Sequence, residues 1–190
     1  MRLGIFGGSF DPPHLGHLLP VIDAAESLGL DAVRFVPAAV QPLKVGRASA
    51  GPLHRLAMTE RLVARVPGFS VDSAEIDRPG LSFMVDTLAA IAAGTPDAEL
   101  VLLVGTDAFA LFGTWREPER IRALAALAVL VRGEDEVPEG GNSTGVRLLQ
   151  TRRVDISSTE LRARVADGRT IRGFVPDAVA DYIAEHRLYR

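Results

Sequence analysis

What most limits the folds open to this chain is the alternation of two kinds of segment along it. Short apolar runs rich in β-branched residues occur at Leu3–Phe6, Ala32–Val36, Phe69–Val71, Leu100–Val104 and Leu127–Val131, the pattern of strands covered on both faces. Between most of them lie stretches with apolar residues at helical spacing, Leu15–Leu28, Pro52–Val66 and Ser82–Ala93, each placed to join two parallel strands by a right-handed crossover. This repetition predicts an α/β fold: a Rossmann-like, doubly wound parallel sheet with helices on both faces. A further strand at Val146–Leu149 and two closing helices, Ser158–Ala166 and Pro176–His186, predict a small C-terminal helical segment. The intervening Gly133–Gly145 is acidic, rich in Gly and Pro and without periodicity, so it reads as a surface loop. No internal repeat divides the chain, and its 190 residues predict one domain.

Composition narrows the function classes. No run of about 18 uncharged apolar residues is present that would span a bilayer, and the N-terminus enters a strand pattern without the order of a signal peptide. The expectation is a cytoplasmic protein with no membrane partner. Cysteine is absent, which excludes disulfides, thiolate nucleophiles and Cys-type zinc sites. A net charge of -3 gives no reason to expect a nucleic-acid surface, whereas small anions need only a few local charges and backbone dipoles. Composition leaves a homo-oligomer open.

The first strand runs into Gly7-Gly8-Ser9-Phe10-Asp11-Pro12-Pro13-His14-Leu15-Gly16-His17, after which helical periodicity begins. Two glycines after a strand allow a tight turn and close backbone approach, and the following helix N-terminus offers unpaired N–H groups to an anion. His14 and His17, three residues apart, project from one face toward that anion, with Gly16 leaving room beside them for a base or ribose. Near the other end stands Asp155-Ile156-Ser157-Ser158-Thr159-Glu160-Leu161-Arg162. Ser157 and Glu160 have capping-box spacing. Ser158, Thr159 and Arg162 add two hydroxyls and a cation at the same helix start, a set suited to a polyphosphate. Gly105 and Asp107 follow the fourth strand at the carboxyl edge of the sheet, where Asp107 serves either a ribose or as an N-cap. The only tryptophan, Trp115, is either core or a stacking platform.

The first string resembles the His-x-Gly-His nucleotidyltransferase superfamily, in the Gly-Gly-x-Phe-Asp-Pro-x-His-x-Gly-His form of the bacterial nicotinate mononucleotide adenylyltransferases. That family also carries an Ile-Ser-Ser-Thr-x-x-Arg string near its C-terminus, matched here by Ile156 to Arg162, and a Gly-x-Asp string followed by a Trp, matched by Gly105, Asp107 and Trp115. The resemblance implies transfer of AMP from ATP to nicotinate mononucleotide, with Mg2+ accompanying the ATP. It implies an ATP site at Gly7, Gly8, Ser9, Phe10, His14, His17, Gly105, Asp107, Ile156, Ser157, Ser158, Thr159 and Arg162, with His14, His17 and Arg162 catalytic. For the acceptor it implies Lys44, Ser82, Phe83, Met84, Thr87, Trp115 and Arg116. Arg55, Arg78 and Asp86 are further matches. Where the family has Pro-Pro-His-Lys the chain has Gln41-Pro42-Leu43-Lys44, and for Ser-Tyr-Thr it has Ser82-Phe83-Met84, losing an imidazole and two hydroxyls near the pyridine side.

Competing readings are an adenylyltransferase for nicotinamide mononucleotide or phosphopantetheine, and a nucleotide-binding sensor without turnover. A zinc site at His14 and His17 lacks further ligands and any His-Glu-x-x-His string. Gly141 to Gly145 matches the Gly-x-Ser-x-Gly pattern of hydrolases but lacks the strand before and helix after it. No anticodon domain or basic face supports the related aminoacyl-tRNA synthetases.

Overall fold

The computed structural model describes residues 1–40, 50–78, 80–133 and 145–190. Lys44 with Gln41, Pro42 and Leu43 therefore lies outside the described residues, as does most of the expected Gly133–Gly145 loop, including Gly141 to Thr144.

Six strands form one parallel sheet: β1 (Arg2–Gly8), β2 (Ala32–Pro37), β3 (Phe69–Val71), β4 (Glu99–Gly105), β5 (Ala126–Arg132) and β6 (Val146–Thr151). Their order is β3-β2-β1-β4-β5-β6, the doubly wound arrangement in which the winding reverses between β1 and β4. Register is continuous there, with Ile5 opposite Leu102 and Phe6 opposite Leu103. The carboxyl ends of β1 and β4 thus open a crevice at the reversal, where open α/β sheets bind ligands.

Both faces of the sheet are covered. Successive side chains alternate between them, so Val101 and Leu103 of β4 join one core layer while Leu100, Leu102 and Val104 join the other. The first layer is closed by α1 (Leu15–Leu28), α2 (Pro52–Val63), α7 (Ser158–Ala166) and α8 (Asp177–Glu185), which contribute Val21, Met58, Leu161 and Val179. The second is closed by α4 (Met84–Gly94), α5 (Thr106–Ala110) and α6 (Pro118–Leu124), through Leu88, Phe109 and Ile121. The expected long helices and all six strands are present. The helix expected over Pro52–Val66 ends at Val63, and the one expected from Ser82 starts at Met84 after the extended Phe83. Two short helices were not expected, α3 (Ala74–Asp77) and α6, while the helix that an Asp107 N-cap implies is the short α5, which starts one residue before Asp107, at Thr106.

Candidate active site

The turn after β1 and the start of α1 form one wall of the crevice. His14 occupies the N-cap position in extended geometry, and its backbone N–H donates to Nδ1 of His17 at 3.2 Å. An accepting Nδ1 places the proton of neutral His17 on Nε2, so this ring presents a donor from its other nitrogen. The two imidazoles lie one over the other with their planes tilted by 33° and their centroids 3.8 Å apart. His14 is buried, and its Nδ1 has no hydrogen-bond partner among the described residues, an unmet polar atom of the sort native folds keep for a functional role. Burial, and then the charge of Arg132, press the His14 pKa down to about 3. Its ring is neutral until a negative ligand arrives.

The C-terminal string closes onto the same turn. Ser157 caps α7 by accepting the Glu160 N–H at 3.1 Å, which occupies its hydroxyl oxygen in a structural bond. The Ser158 hydroxyl donates to the Pro12 carbonyl at 2.8 Å. Arg162 Nη1 donates to the Asp11 carbonyl at 2.7 Å, and its Nη2 to the Thr159 hydroxyl at 3.2 Å. Gly16 sits at this junction: a Cβ there would stand 2.9 Å from His14 Nδ1 and 3.3 Å from the Ile156 carbonyl. The room expected beside Gly16 for a base or ribose is therefore taken by His14 and the second string.

Beyond the histidines the crevice deepens into a cavity of about 160 Å³. Its floor is the ends of β1 and β4, with Gly7, Gly8 and Gly105, and its walls include Ser82, Phe83, Met84, Trp115, Arg116 and Glu75. Trp115 meets Phe112 with ring centroids 5.5 Å apart and also lines the cavity, so it belongs to the core on one side and to the site on the other. The Arg116 guanidinium lies 4.9 Å from the Phe83 ring centroid and 3.6 Å from the Asp86 carboxylate. Gly105 itself is the N-cap of α5. Asp107, in the first turn, is exposed and does not cap this helix.

Three expected site residues are placed otherwise. Phe10 has a left-handed φ of 50°, which turns its ring into the core at 1 % exposure. There it meets the edge of His17 at 5.2 Å and steadies it, leaving no aromatic face for a nucleotide. Thr87 is fully buried behind the cavity wall, donating to Glu75 Oε1 at 2.6 Å and accepting from Arg78 at 3.1 Å. Arg55 is an internal brace whose guanidinium binds the carbonyls of Ser9, Ala38, Ala39 and Ala50. Ser82 keeps a place on the cavity wall while its hydroxyl accepts the Ala39 N–H at 2.9 Å.

The sequence reading missed two residues. Arg132, the last residue of β5, holds a guanidinium nitrogen 4.0 Å from where a Gly105 Cβ would be. It forms no hydrogen bond or ion pair with a described residue, and its charge is felt at His14. A basic residue at the carboxyl end of a parallel strand was the signal available. Glu75, on α3, is a buried carboxyl in the cavity wall, its pKa raised first by burial and partly restored by Thr87 and Ser82 hydrogen bonds.

Comparison with known proteins identifies the family and the fold. Residues 5–164 match the cytidylyltransferase-like family model. A protein of Gemmatimonas aurantiaca named "probable nicotinate-nucleotide adenylyltransferase" is 52% identical over 100% of this chain and 93% of its own length. One of Thermus thermophilus with the same name is 46% identical over the full length of both. Among solved structures, the Plasmodium falciparum nicotinic acid mononucleotide adenylyltransferase complexed with NaAD superposes with a TM-score of 0.80 at 20% identity, covering 99% of this chain and 97% of the other. That last likeness speaks for the fold; the full-length identities show that the chain belongs to the nicotinate-nucleotide adenylyltransferase family.

Proposed function

We propose that this chain transfers AMP from ATP to nicotinate mononucleotide, forming nicotinate adenine dinucleotide and pyrophosphate. The observation that carries the reading is the junction of the two strings: Ser158 and Arg162 bond the backbone at Pro12 and Asp11, directly beside His14 and His17 and next to a ring-sized cavity. In the reaction a phosphate oxygen of the acceptor forms a bond to the α-phosphorus while the bond from that phosphorus to the bridging oxygen breaks, and pyrophosphate leaves. No protein nucleophile is needed, so alignment and charge neutralisation supply the rate.

His17 donates from Nε2 to a phosphate oxygen, and His14 accepts its proton only when the triphosphate is beside it. Ser158, Thr159 and Arg162 hold the outer phosphates, and Arg132 adds a cation that no described protein group competes for. Gly7, Gly8, Gly105 and Asp107 bound the adenosine side, and Phe83, Met84, Trp115 and Arg116 enclose the pyridine ring, with Arg116 near its carboxylate. Lys44 keeps its expected acceptor role as part of this proposal. Among the described residues no group of three or more His, Cys, Asp or Glu could cage a metal. Mg2+ would be held mainly by substrate phosphates and water, and on ATP would screen the charge of the leaving group.

The test is pyrophosphate release from ATP and Mg2+ by the purified protein with nicotinate mononucleotide, nicotinamide mononucleotide or phosphopantetheine offered separately. Release with nicotinate mononucleotide far exceeding the other two, together with the dinucleotide product, is expected. Turnover with another acceptor alone overturns the substrate, and silence with all three points to a nucleotide sensor.

A further inference from the structure

The last residues of the chain end underneath the phosphate cradle. α8 stops at Glu185, and Arg187 and Tyr189 both take left-handed conformations, with φ of 51° and 64°, uncommon for residues that carry a Cβ. These two turns fold the tail back, and Leu188 and Tyr189 pack against the core layer that α1, α2 and α7 close. The Tyr189 hydroxyl donates to Asp11 Oδ1 at 2.8 Å, and the Ala50 N–H donates to the same oxygen at 3.1 Å. The other oxygen, Oδ2, stands 3.9 Å from Arg162 Nη1, the atom that donates to the Asp11 carbonyl.

One buried carboxylate, 4 % exposed, thus joins the turn after β1, the start of the segment leading into α2, the α7 string and the C-terminus. Such a group is stable only with donors around it. It also attracts Arg162, the guanidinium that a triphosphate needs. Each neutral donor that satisfies Asp11 weakens its hold on that cation. The Tyr189 hydroxyl is suited to this task, since burial and then the Asp11 charge hold its pKa far above the ordinary tyrosine value, and it stays a donor at any pH the folded protein meets.

We propose that Tyr189 is a positioning residue for adenylyl transfer: by engaging Asp11 Oδ1 it keeps the ion pair between the Asp11 carboxylate and Arg162 long, at 3.9 Å, which leaves the guanidinium available to the phosphates of ATP. The proposal rests on the assignment of the cradle to ATP. It predicts an effect on one substrate only, because the cavity lined by Trp115 and Phe83 shares none of these contacts.

Tyr189→Phe keeps the packed ring and removes the hydroxyl. It should raise the KM for ATP, and the dissociation constant from calorimetric ATP titration, roughly tenfold, the usual scale for losing a hydrogen bond to a charged group. The KM for nicotinate mononucleotide should stay within about twofold, and thermal melting should stay cooperative. In an Asp11→Asn background the same change should add less than about twofold, since the charge it balances is gone. Removal of Arg190 alone, exposed beyond Tyr189, should alter nothing. Unchanged ATP binding in Tyr189→Phe overturns the proposal. So does an equal effect with and without the Asp11 charge, or a parallel loss for both substrates that follows the unfolded fraction. A wild-type chain that does not bind ATP overturns the cradle assignment and the proposal with it, which is a distinct result.

Discussion

Acidification should destabilise the protein through His14, and the size of the effect follows from its burial. A histidine titrates near 6.5 when unfolded, but here desolvation and then Arg132 hold the folded value at about 3. The folded state therefore refuses a proton that the unfolded state accepts. This has no cost well above pH 6.5; below it, stability falls by about 1.4 kcal/mol per pH unit until the folded value is reached. Between pH 7 and pH 5.5 the loss is on the order of 1 kcal/mol. Glu75 acts in the opposite sense, because its raised pKa lets the folded state bind a proton sooner than the unfolded chain. The test must therefore be differential: urea denaturation of wild type and His14→Asn at both pH values, in which the Glu75 contribution cancels. The stability difference between the two proteins should shift by roughly 1 kcal/mol in favour of the variant at the lower pH. ATP placed against His14 should reverse the preference, so that binding at pH 6.5 takes up protons in wild type and fewer in the variant, read as a buffer-dependent heat. Equal pH slopes for the two proteins would refute the assignment of a neutral, desolvated His14.

Other consequences are as direct. Replacing Arg132 by Met should lower kcat/KM for ATP by about 10- to 100-fold, as loss of a charged phosphate contact does, and should leave the melting temperature within a few degrees because no described partner is lost; an unaltered kcat/KM would remove Arg132 from the site. Gly16→Ala puts an inherently better helix former into α1, worth up to about 1 kcal/mol, yet it displaces His14 or the Ile156 carbonyl; turnover should fall about 100-fold, the scale of a misplacement of about 1 Å, and a stabilised, fully active variant would contradict the junction. Thr87→Val deprives the buried Glu75 of its 2.6 Å donor and should cost about 2 kcal/mol in chemical denaturation, with the acceptor KM rising more than that of ATP; a larger effect on ATP would show that Thr87 supports the wrong side of the site.

The parts of this molecule that the sequence made legible are those whose physics is local. A strand, a glycine turn and a helix start lie within the first 17 residues, and Ser157 caps a helix three residues on, so both phosphate strings could be read in place. The doubly wound sheet followed from the alternation of segments. The short helices α3 and α6, of four and seven residues, were invisible because fewer than two turns cannot establish a period. Phe10 was misplaced because side-chain direction depends on a backbone φ that no pattern displays. Arg132, Glu75 and Tyr189 escaped for another reason: their neighbours are far along the chain, with Tyr189 and Asp11 separated by 178 positions.

That long-range character also governs how the site can fail. Ser158, Leu161 and Arg162 are spaced to share one face of α7. The central one, Leu161, is fully buried in the first core layer, while the outer two bond the backbone of the turn after β1. A buried apolar anchor, Leu161, flanked by the partly buried Ile156 and Val165 on the same layer, therefore sets the distance between the two phosphate strings, and the polar contacts only trim it. Shortening that anchor, as in Leu161→Ala, should loosen the cradle by more than loss of either polar contact. A buried Leu→Ala change costs about 2 to 5 kcal/mol, whereas a typical hydrogen bond contributes about 1 kcal/mol. ATP affinity in such a variant should fall while the cavity at Trp115, on the opposite face of the sheet, still takes its ligand. Equal loss of both ligands would mean that the two layers yield together and that α7 does not act as a separable half of the site.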